Sequence, residues 1–401
     1  MNISNTVVEK SITSGTHRYC VPEESLAKAQ ACAPEIGITR LANVTGMDRL
    51  GIAVATACRP NSKSNVMAQG KGLSLMAAKV SAMMESIECF HAENLSHPII
   101  SGSVSELSQS YTLADVDKLP RADLRTVDLN EAMDWIEATD LFSDSKVLVP
   151  VEMVDIDCTK PLSAFAGYFP SDTNGLASGN TLLEAISHAI CEVIERDAVA
   201  LWNHSGLLKK GTTGVRLDSI ADPVIGDLIE KVRAADLDIS IWNLTSDCTI
   251  PVYRALIASG AADNTDPEFG TGCHLDSKVA LCRAVTEAAQ ARATYITGAR
   301  DDMPPSLYAA DYRSERKKYC HLLHRTNRGK RSFGNSVDYS TDTFQGDLDF
   351  ILTKLKACGI QQALAIDLTK PEFDIPVVKV VVPGLEGMDD NAAYTPGKRI
   401  A

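Results

Sequence analysis

Apolar residues in this chain follow two rhythms. Short runs rich in β-branched residues have the length and composition of strands: GIAVATAC (51–58), KVLVPVEMV (146–154), ISIWNL (239–244), PVYRALIA (251–258), QALAIDL (362–368) and PVVKVVVPG (376–384). Between them, apolar residues spaced three and four apart predict helices over about 72–94, 181–203, 223–236, 275–298 and 345–358. Segment 104–141 reads as short helices and loops. Strand groups separated by helices predict an α+β fold, mixed sheets packed with helices.

Three of the helices carry one motif, polar-Ala-x-x-Glu-x-x-Glu/Gln: SAMMESIE (81–88), HAICEVIE (188–195) and RAVTEAAQ (283–290). Positions i, i+4 and i+7 share a narrow arc of a helix. Ser81, Glu85 and Glu88 therefore form one polar stripe. Glu184, His188, Glu192 and Glu195 form a second, and Arg283, Glu287 and Gln290 a third. Each stripe lies beside an apolar face, such as Met83, Ile87 and Phe90 on the first. Glutamates at this spacing are ordinarily the wet side of an amphipathic helix. Thr181-x-x-Glu184 is also a capping-box pattern. Repetition favours a second reading, in which the stripes converge.

Converged, Glu85, Glu88, Glu184, Glu192, Glu195 and Glu287 would repel one another, and hard divalent cations remove that penalty. Mg²⁺ takes a few carboxylates and completes its shell with water and phosphate oxygens. Arg196 and Arg283 suit phosphate in fork geometry, and Lys71 in QGKG (69–72) adds a point charge. The pattern predicts a magnesium–nucleotide site. Gly70-Lys71 is not a P-loop, because Asn65 stands where its first glycine is needed and Gly72 follows the lysine. A di-iron bundle needs two Glu-x-x-His motifs, and only Glu88-x-x-His91 is present. No Gly-x-Ser-x-Gly elbow marks a serine hydrolase.

A net charge of −13 argues against nucleic-acid binding. The eleven cysteines are scattered with no Cys-x-x-Cys pair, which predicts reduced thiols in a cytoplasmic protein. Neither a signal peptide nor a membrane span is read in the chain. The polar stretch 301–345 is a candidate mobile insert with a basic island, Arg313 to Arg331. It reads either as a solvated helix and loop or as a docking surface for an acidic peptide or phosphate.

The segments GKGLSLMAAKVSAMMESIE (70–88), SGNTLLEAISHAICEVIERD (178–197) and HLDSKVALCRAVTEAAQAR (274–292) resemble the YcaO family over nearly the whole chain. GMDRLGIAV (46–54), RPNSKS (59–64), TGARDD (297–302), VVVPGLEG (380–387) and YTPGKR (394–399) are similar to its branch that works with TfuA-like partners. The resemblance implies a YcaO-type ATP-binding fold. Residues 1–401 would then form one composite catalytic domain, with core motifs in 46–300 and a C-terminal helix and strands in 346–401. It implies ATP and Mg²⁺ as cofactors and O-phosphorylation of a peptide backbone amide. Contacts to Mg²⁺ and phosphate would fall to Ser81, Glu85, Glu88, Asn180, Glu184, Glu192, Glu195, Arg196, Arg283 and Glu287, with Lys10 or Arg18 adding one more. Glu195, Arg196, Arg283 and Glu287 would take the catalytic roles. With sulfur from a TfuA-like partner the product is a thioamide; with a neighbouring Cys or Ser of the substrate it is an azoline. A non-catalytic nucleotide-binding accessory protein is the alternative from another class. Family members often pair as homodimers.

Three departures bear on the branch. Cys89 stands where the motif often has Arg, Pro396 is alone where azoline-forming members carry a proline-rich tail, and no fused peptide-recognition domain is read in the chain. A separate partner would then capture the substrate.

Overall fold

The structure, a computed structural model, describes residues 7–13, 15–122, 125–160, 166–259, 266–389 and 394–400. In chain order, α1 (Pro22–Ile36) precedes β1 (Arg40–Asn43), β2 (Ala53–Cys58), β3 (Met67–Gly72) and α2 (Leu75–Glu93). Next come β4 (Ile99–Gly102), α3 (Val104–Leu107), β5 (Met133–Asp140), β6 (Lys146–Pro150), β7 (Leu176–Ser178) and α4 (Leu182–Asn203). Then follow α5 (Leu207–Thr212), β8 (Val215–Arg216), α6 (Pro223–Ala234), β9 (Asp238–Asn243), β10 (Val252–Ala258), β11 (Glu268–Cys273) and α7 (Ser277–Thr297). The chain closes with α8 (Ala310–Thr326), β12 (Arg331–Ser332), α9 (Phe344–Ala357), β13 (Leu364–Asp367) and β14 (Val377–Val381). Mixed helices and sheets make this an α+β fold.

Two compact units share these elements. The first comprises Met1–Lys10, Ile87–Leu201 and Thr341–Ala401; the second comprises Ser11–Ser86 and Trp202–Ser340. In the first, the sheet order is β4-β5-β13-β14-β7, with β6 paired to β5. The second holds two antiparallel sheets, β1-β2-β3 and β11-β10-β9. Helix α7 packs against strands of both sheets, and α6 contributes Ile225, Leu228, Ile229 and Val232 to the same apolar core.

The helices with the repeated motif each follow a strand at the edge of a sheet: α2 follows β3, α4 follows β7, and α7 follows β11. Glycine in the strand sets how closely the helix approaches. A Cβ on Gly70 would sit 2.1 Å from both Ala78 O and Ala82 N. A Cβ on Gly272 would meet the corresponding backbone atoms of α7, Ala280 O at 2.1 Å and Ala284 N at 2.7 Å.

Segment 104–141 departs from expectation, because 133–140 is the strand β5. Its alternation is broken by a buried pair, Trp135 and Ile136, between exposed Asp134 and Glu137, which hides the strand in a short window. The apolar run at 146–154 stops being a strand at Pro150 and turns into a 3₁₀ helix. Helix α1 was masked by Pro34; Pro22 opens it and Gly37, at φ 87°, ends it. The basic stretch contains a regular helix, α8, anchored by Arg313 to Asp266 at 2.7 Å and Arg316 to Glu268 at 2.6 Å.

All eleven cysteines are free thiols. Burial pushes Cys282 up to about 12 and Cys320 to about 11, so neither is a nucleophile at neutral pH. Among the described residues, no helix is long and apolar enough to cross a membrane.

Gly70→Ala is expected to cost about 3 kcal/mol or to block folding, since the new methyl meets backbone that cannot move aside; chemical denaturation measures it. His91 makes a second prediction. It is 1% exposed, packed against Phe90 and Phe373, and bonded through Nδ1 to Ile87 O at 2.7 Å. Burial holds its pKa down at about 4, against 6.5 when unfolded. The unfolded chain therefore binds the proton first. About 3 kcal/mol present above pH 6.5 is lost as pH falls to about 4, and His91→Phe should flatten that part of the stability profile.

Candidate nucleotide and metal site

In the second unit, two edge strands each offer a backbone N–H to a carboxylate sixteen residues further on. Gln69 N–H donates to Glu85 Oε2 at 3.3 Å, and Thr271 N–H donates to Glu287 Oε1 at 3.1 Å. The Thr271 hydroxyl adds a second bond to Glu287 at 3.0 Å. Lys71 Nζ holds the other Glu287 oxygen at 2.7 Å. Gln290 Nε2 donates to Gln69 O at 2.8 Å, and Thr294 donates to the Gln69 side chain, so both strand–helix pairs meet at Gln69. Ser81 and Arg283, one turn before Glu85 and Glu287, are half-buried on the same helices.

The charges here are unbalanced. Burial pushes the Glu85 carboxyl above its ordinary range; Arg300 and Lys71 pull it back, and Glu287 adds to the rise. Gln69 Nε2 is buried with no hydrogen-bond partner among the described residues. A carboxylate whose charge its surroundings disfavour, beside an orphaned amide donor, suits a hard cation carrying an oxygen-rich ligand.

In the first unit, Glu88 accepts two bonds from Ser178, from N–H at 2.7 Å and from Oγ at 2.6 Å. Asn180 Nδ2 donates to both Glu184 oxygens, at 3.1 and 3.2 Å. The Thr181 hydroxyl accepts from Glu184 N–H at 3.2 Å, so that residue does belong to a helix start. Arg196 lies 3.8 Å from Glu192. Glu184 and Glu195 are buried, and Glu85, Glu88, Glu192 and Glu287 are half-buried. None of the six is on a wet helix face.

Residues with no role in the sequence reading complete this group. Asp197, next after Arg196, is fully buried and takes a two-pronged contact from Arg399, Nε at 2.7 Å and Nη2 at 3.0 Å. It also accepts from Glu386 N–H at 3.0 Å. Glu386 in turn accepts from Tyr394 Oη at 2.7 Å, Gly397 N–H at 2.8 Å and Arg399 N–H at 3.1 Å. The C-terminal segment is thereby tied to α4 directly behind Arg196. Lys379 is 1% exposed and donates to Asp172 O at 2.5 Å; its desolvated ammonium is pulled below its ordinary pKa. A lone lysine inside the run VVKVV was the available signal for it.

Lys10 and Arg18 were alternatives for one phosphate contact. The Lys10 ammonium is buried against Asp347 at 2.6 Å and Thr341 O at 2.5 Å. Arg18 lies in the second unit and donates to His17 O at 2.9 Å.

In each unit, oxygen donors withdrawn from water beside cationic side chains have the chemistry that Mg²⁺ and phosphate take. The comparisons carry this to a family. A model described as YcaO cyclodehydratase, ATP- and Mg²⁺-binding, matches residues 69–386. The chain is 32% identical over 378 residues to an uncharacterized protein in the tfuA 3′ region of Rhizobium leguminosarum bv. trifolii, covering 92% of this chain and 88% of that one. It belongs to the YcaO family, and ATP and Mg²⁺ are its cofactors. Its fold matches YcaO from Methanopyrus kandleri bound with AMPPCP and Mg²⁺, with a TM-score of 0.78 at 20% identity over 98% of this chain and 100% of that one. It also matches a heterocyclase in complex with substrate and cofactor, with a TM-score of 0.74 at 22% identity over 95% of this chain. This chain spans 54% of that longer heterocyclase chain.

Because the Glu85 pKa is raised, ionising that group costs stability as pH climbs through its folded value. Glu85→Gln is expected to raise the Tm of the ligand-free protein at pH 8 by about 2 °C. The same change should cut most of the further rise that Mg²⁺ with a non-hydrolysable ATP analogue gives the parent. Differential scanning calorimetry with and without ligand reads both effects.

Proposed function

We propose that this chain is an ATP- and Mg²⁺-dependent enzyme that activates a peptide backbone amide by O-phosphorylation and installs a thioamide, with sulfur delivered by a TfuA-like partner. The observation that carries the reading is the paired strand-to-helix clamp, Gln69 on Glu85 and Thr271 on Glu287, in a chain of the YcaO family. The relative in a tfuA 3′ region supports the thioamide branch. The family description as a cyclodehydratase favours azoline formation as the second reading.

In this reading Glu85, Glu88, Glu184, Glu192, Glu195 and Glu287 hold Mg²⁺, while Lys71, Ser81, Asn180, Arg196 and Arg283 orient the phosphates. Arg18 suits the further phosphate contact better than Lys10, whose ammonium is bound to Asp347. ATP supplies the phosphoryl group that makes the amide oxygen a leaving group. A sulfur nucleophile would add to the carbonyl carbon as the C=O π pair moves onto oxygen, and that oxyanion would take the γ-phosphoryl group with ADP as the leaving group. The phosphorylated oxygen then departs as phosphate, a proton is lost from sulfur, and the C=S bond forms. Glu195, Arg196, Arg283 and Glu287 act by position and charge at the transferring group, and no protein nucleophile is needed. A cytoplasmic homodimer with a separate peptide-capturing partner belongs to the same proposal.

Glu195→Gln tests it. The side chain is 6% exposed and nearly isosteric, so the Tm should stay within a few degrees while ATP turnover falls about a hundredfold. Retained turnover would remove Glu195 from the site. Mass spectrometry of the modified peptide then separates the branches, with a gain of about 16 mass units for oxygen-to-sulfur exchange and a loss of about 18 for cyclodehydration, both following from the phosphorylated intermediate.

A further inference from the structure

Helix α8 divides its cations between two tasks. Arg313, Arg316 and Lys317 turn inward to Asp266 and Glu268 and anchor the helix, whose only buried side chains are Cys320 and Leu323. Lys318 and Arg325 point outward and form no ion pair among the described residues. On the same arc, about 120° wide by helical geometry, lie exposed Tyr319 and Leu322. The short helix α5 packs beside this end of α8 and adds exposed Lys209 and Leu208, the latter 79% exposed. Two acidic residues of α8, Asp311 and Glu315, sit in its first two turns, away from this end.

Tyr319 is held in place. Buried Lys210 of α5 donates to the Tyr319 hydroxyl at 3.1 Å and to Asn203 O at 2.9 Å, and lies 4.8 Å from the Trp202 ring. A braced aromatic ring, two exposed leucines and outward cations make a preordered surface that is apolar at its centre and positive at its rim. In a chain of net charge −13 this concentration of unpaired cations stands apart.

We propose that the C-terminal half of α8, with α5, docks an acidic segment of the polypeptide substrate, one carrying leucine or aromatic side chains between its carboxylates. The proposal rests on the peptide-modifying reading above and names how the substrate is held away from the reacting amide. Apolar contacts at the centre and charge at the rim match such a segment on both counts. A nucleic acid would leave Leu208 and Leu322 against phosphodiester and would meet the field of an acidic protein.

Fluorescence anisotropy tests this with the full chain and a dye-labelled synthetic peptide that alternates glutamate with leucine and phenylalanine, at low salt. The double charge reversal Lys318→Glu, Arg325→Glu is expected to weaken binding about tenfold, and Tyr319→Ala to weaken it through a different contact, with helical content unchanged by circular dichroism. Unchanged affinity in the double variant overturns the proposal. So does a single-stranded oligonucleotide of equal charge that binds as tightly and loses affinity in the same variants, or a parent chain that sediments as a dimer which the double variant alone breaks. ATP turnover is read alongside. Peptide binding through these residues by a chain without turnover leaves the docking surface standing and sinks the enzyme reading; turnover without such binding does the reverse.

Discussion

Carboxylates taken out of water must be compensated, and much of this structure follows from where that compensation comes from. Edge strands supply it first. An edge strand has unpaired N–H groups along one side. Here Gln69, Thr271 and Ser178 turn theirs onto Glu85, Glu287 and Glu88. Those bonds require the helix to lie almost against the strand backbone, which is why Gly70 and Gly272 face the alanines of α2 and α7. The close approach and the carboxylate clamp are one device.

The backbone bonds do not balance the charge in full. Glu85 remains raised by burial although Lys71 and Arg300 oppose it, and Lys71 is itself held by Glu287. Burial holds the Glu85 carboxyl above its ordinary range, a charge penalty of the kind a divalent cation removes. Behind α4 the accounting differs. Burial also pushes the fully buried Asp197 carboxyl up, but there Arg399 and the Glu386 amide oppose it, and the bonds they make fasten the C-terminal segment. Of these neighbours in sequence, Arg196 faces Glu192 of its own helix while Asp197 fastens the C-terminal segment.

The three motifs are not equal. In α2 and α7 the strand donor precedes the glutamate by the same sixteen residues. At α4 the strand β7 is short, its Ser178 serves Glu88 of a different helix, and Glu192 is met by Arg196 of its own helix. The α4 copy shares a helix pattern with the others while its strand connection is its own.

Much of the chain could be read from spacing alone. The long helices α2, α4 and α7 and the strands β2, β9, β10 and β14 follow from apolar periodicity, because burial of one face writes a regular pattern. The glutamate stripes were visible for the same reason, while the family resemblance rested on the particular residues of the three motif segments. Strand β5 and helix α1 were not, since the adjacent buried pair Trp135 and Ile136 broke one rhythm and Pro34 the other. Sequence spacing also left open whether the stripes faced water, what became of Lys10, and that Asp197, Glu386 and Arg399 form one network. Those outcomes depend on partners hundreds of residues distant, such as Arg399 for Asp197 and Glu287 for Lys71. Local periodicity records which face of an element is buried; the identity of the group across from it is set when distant segments pack.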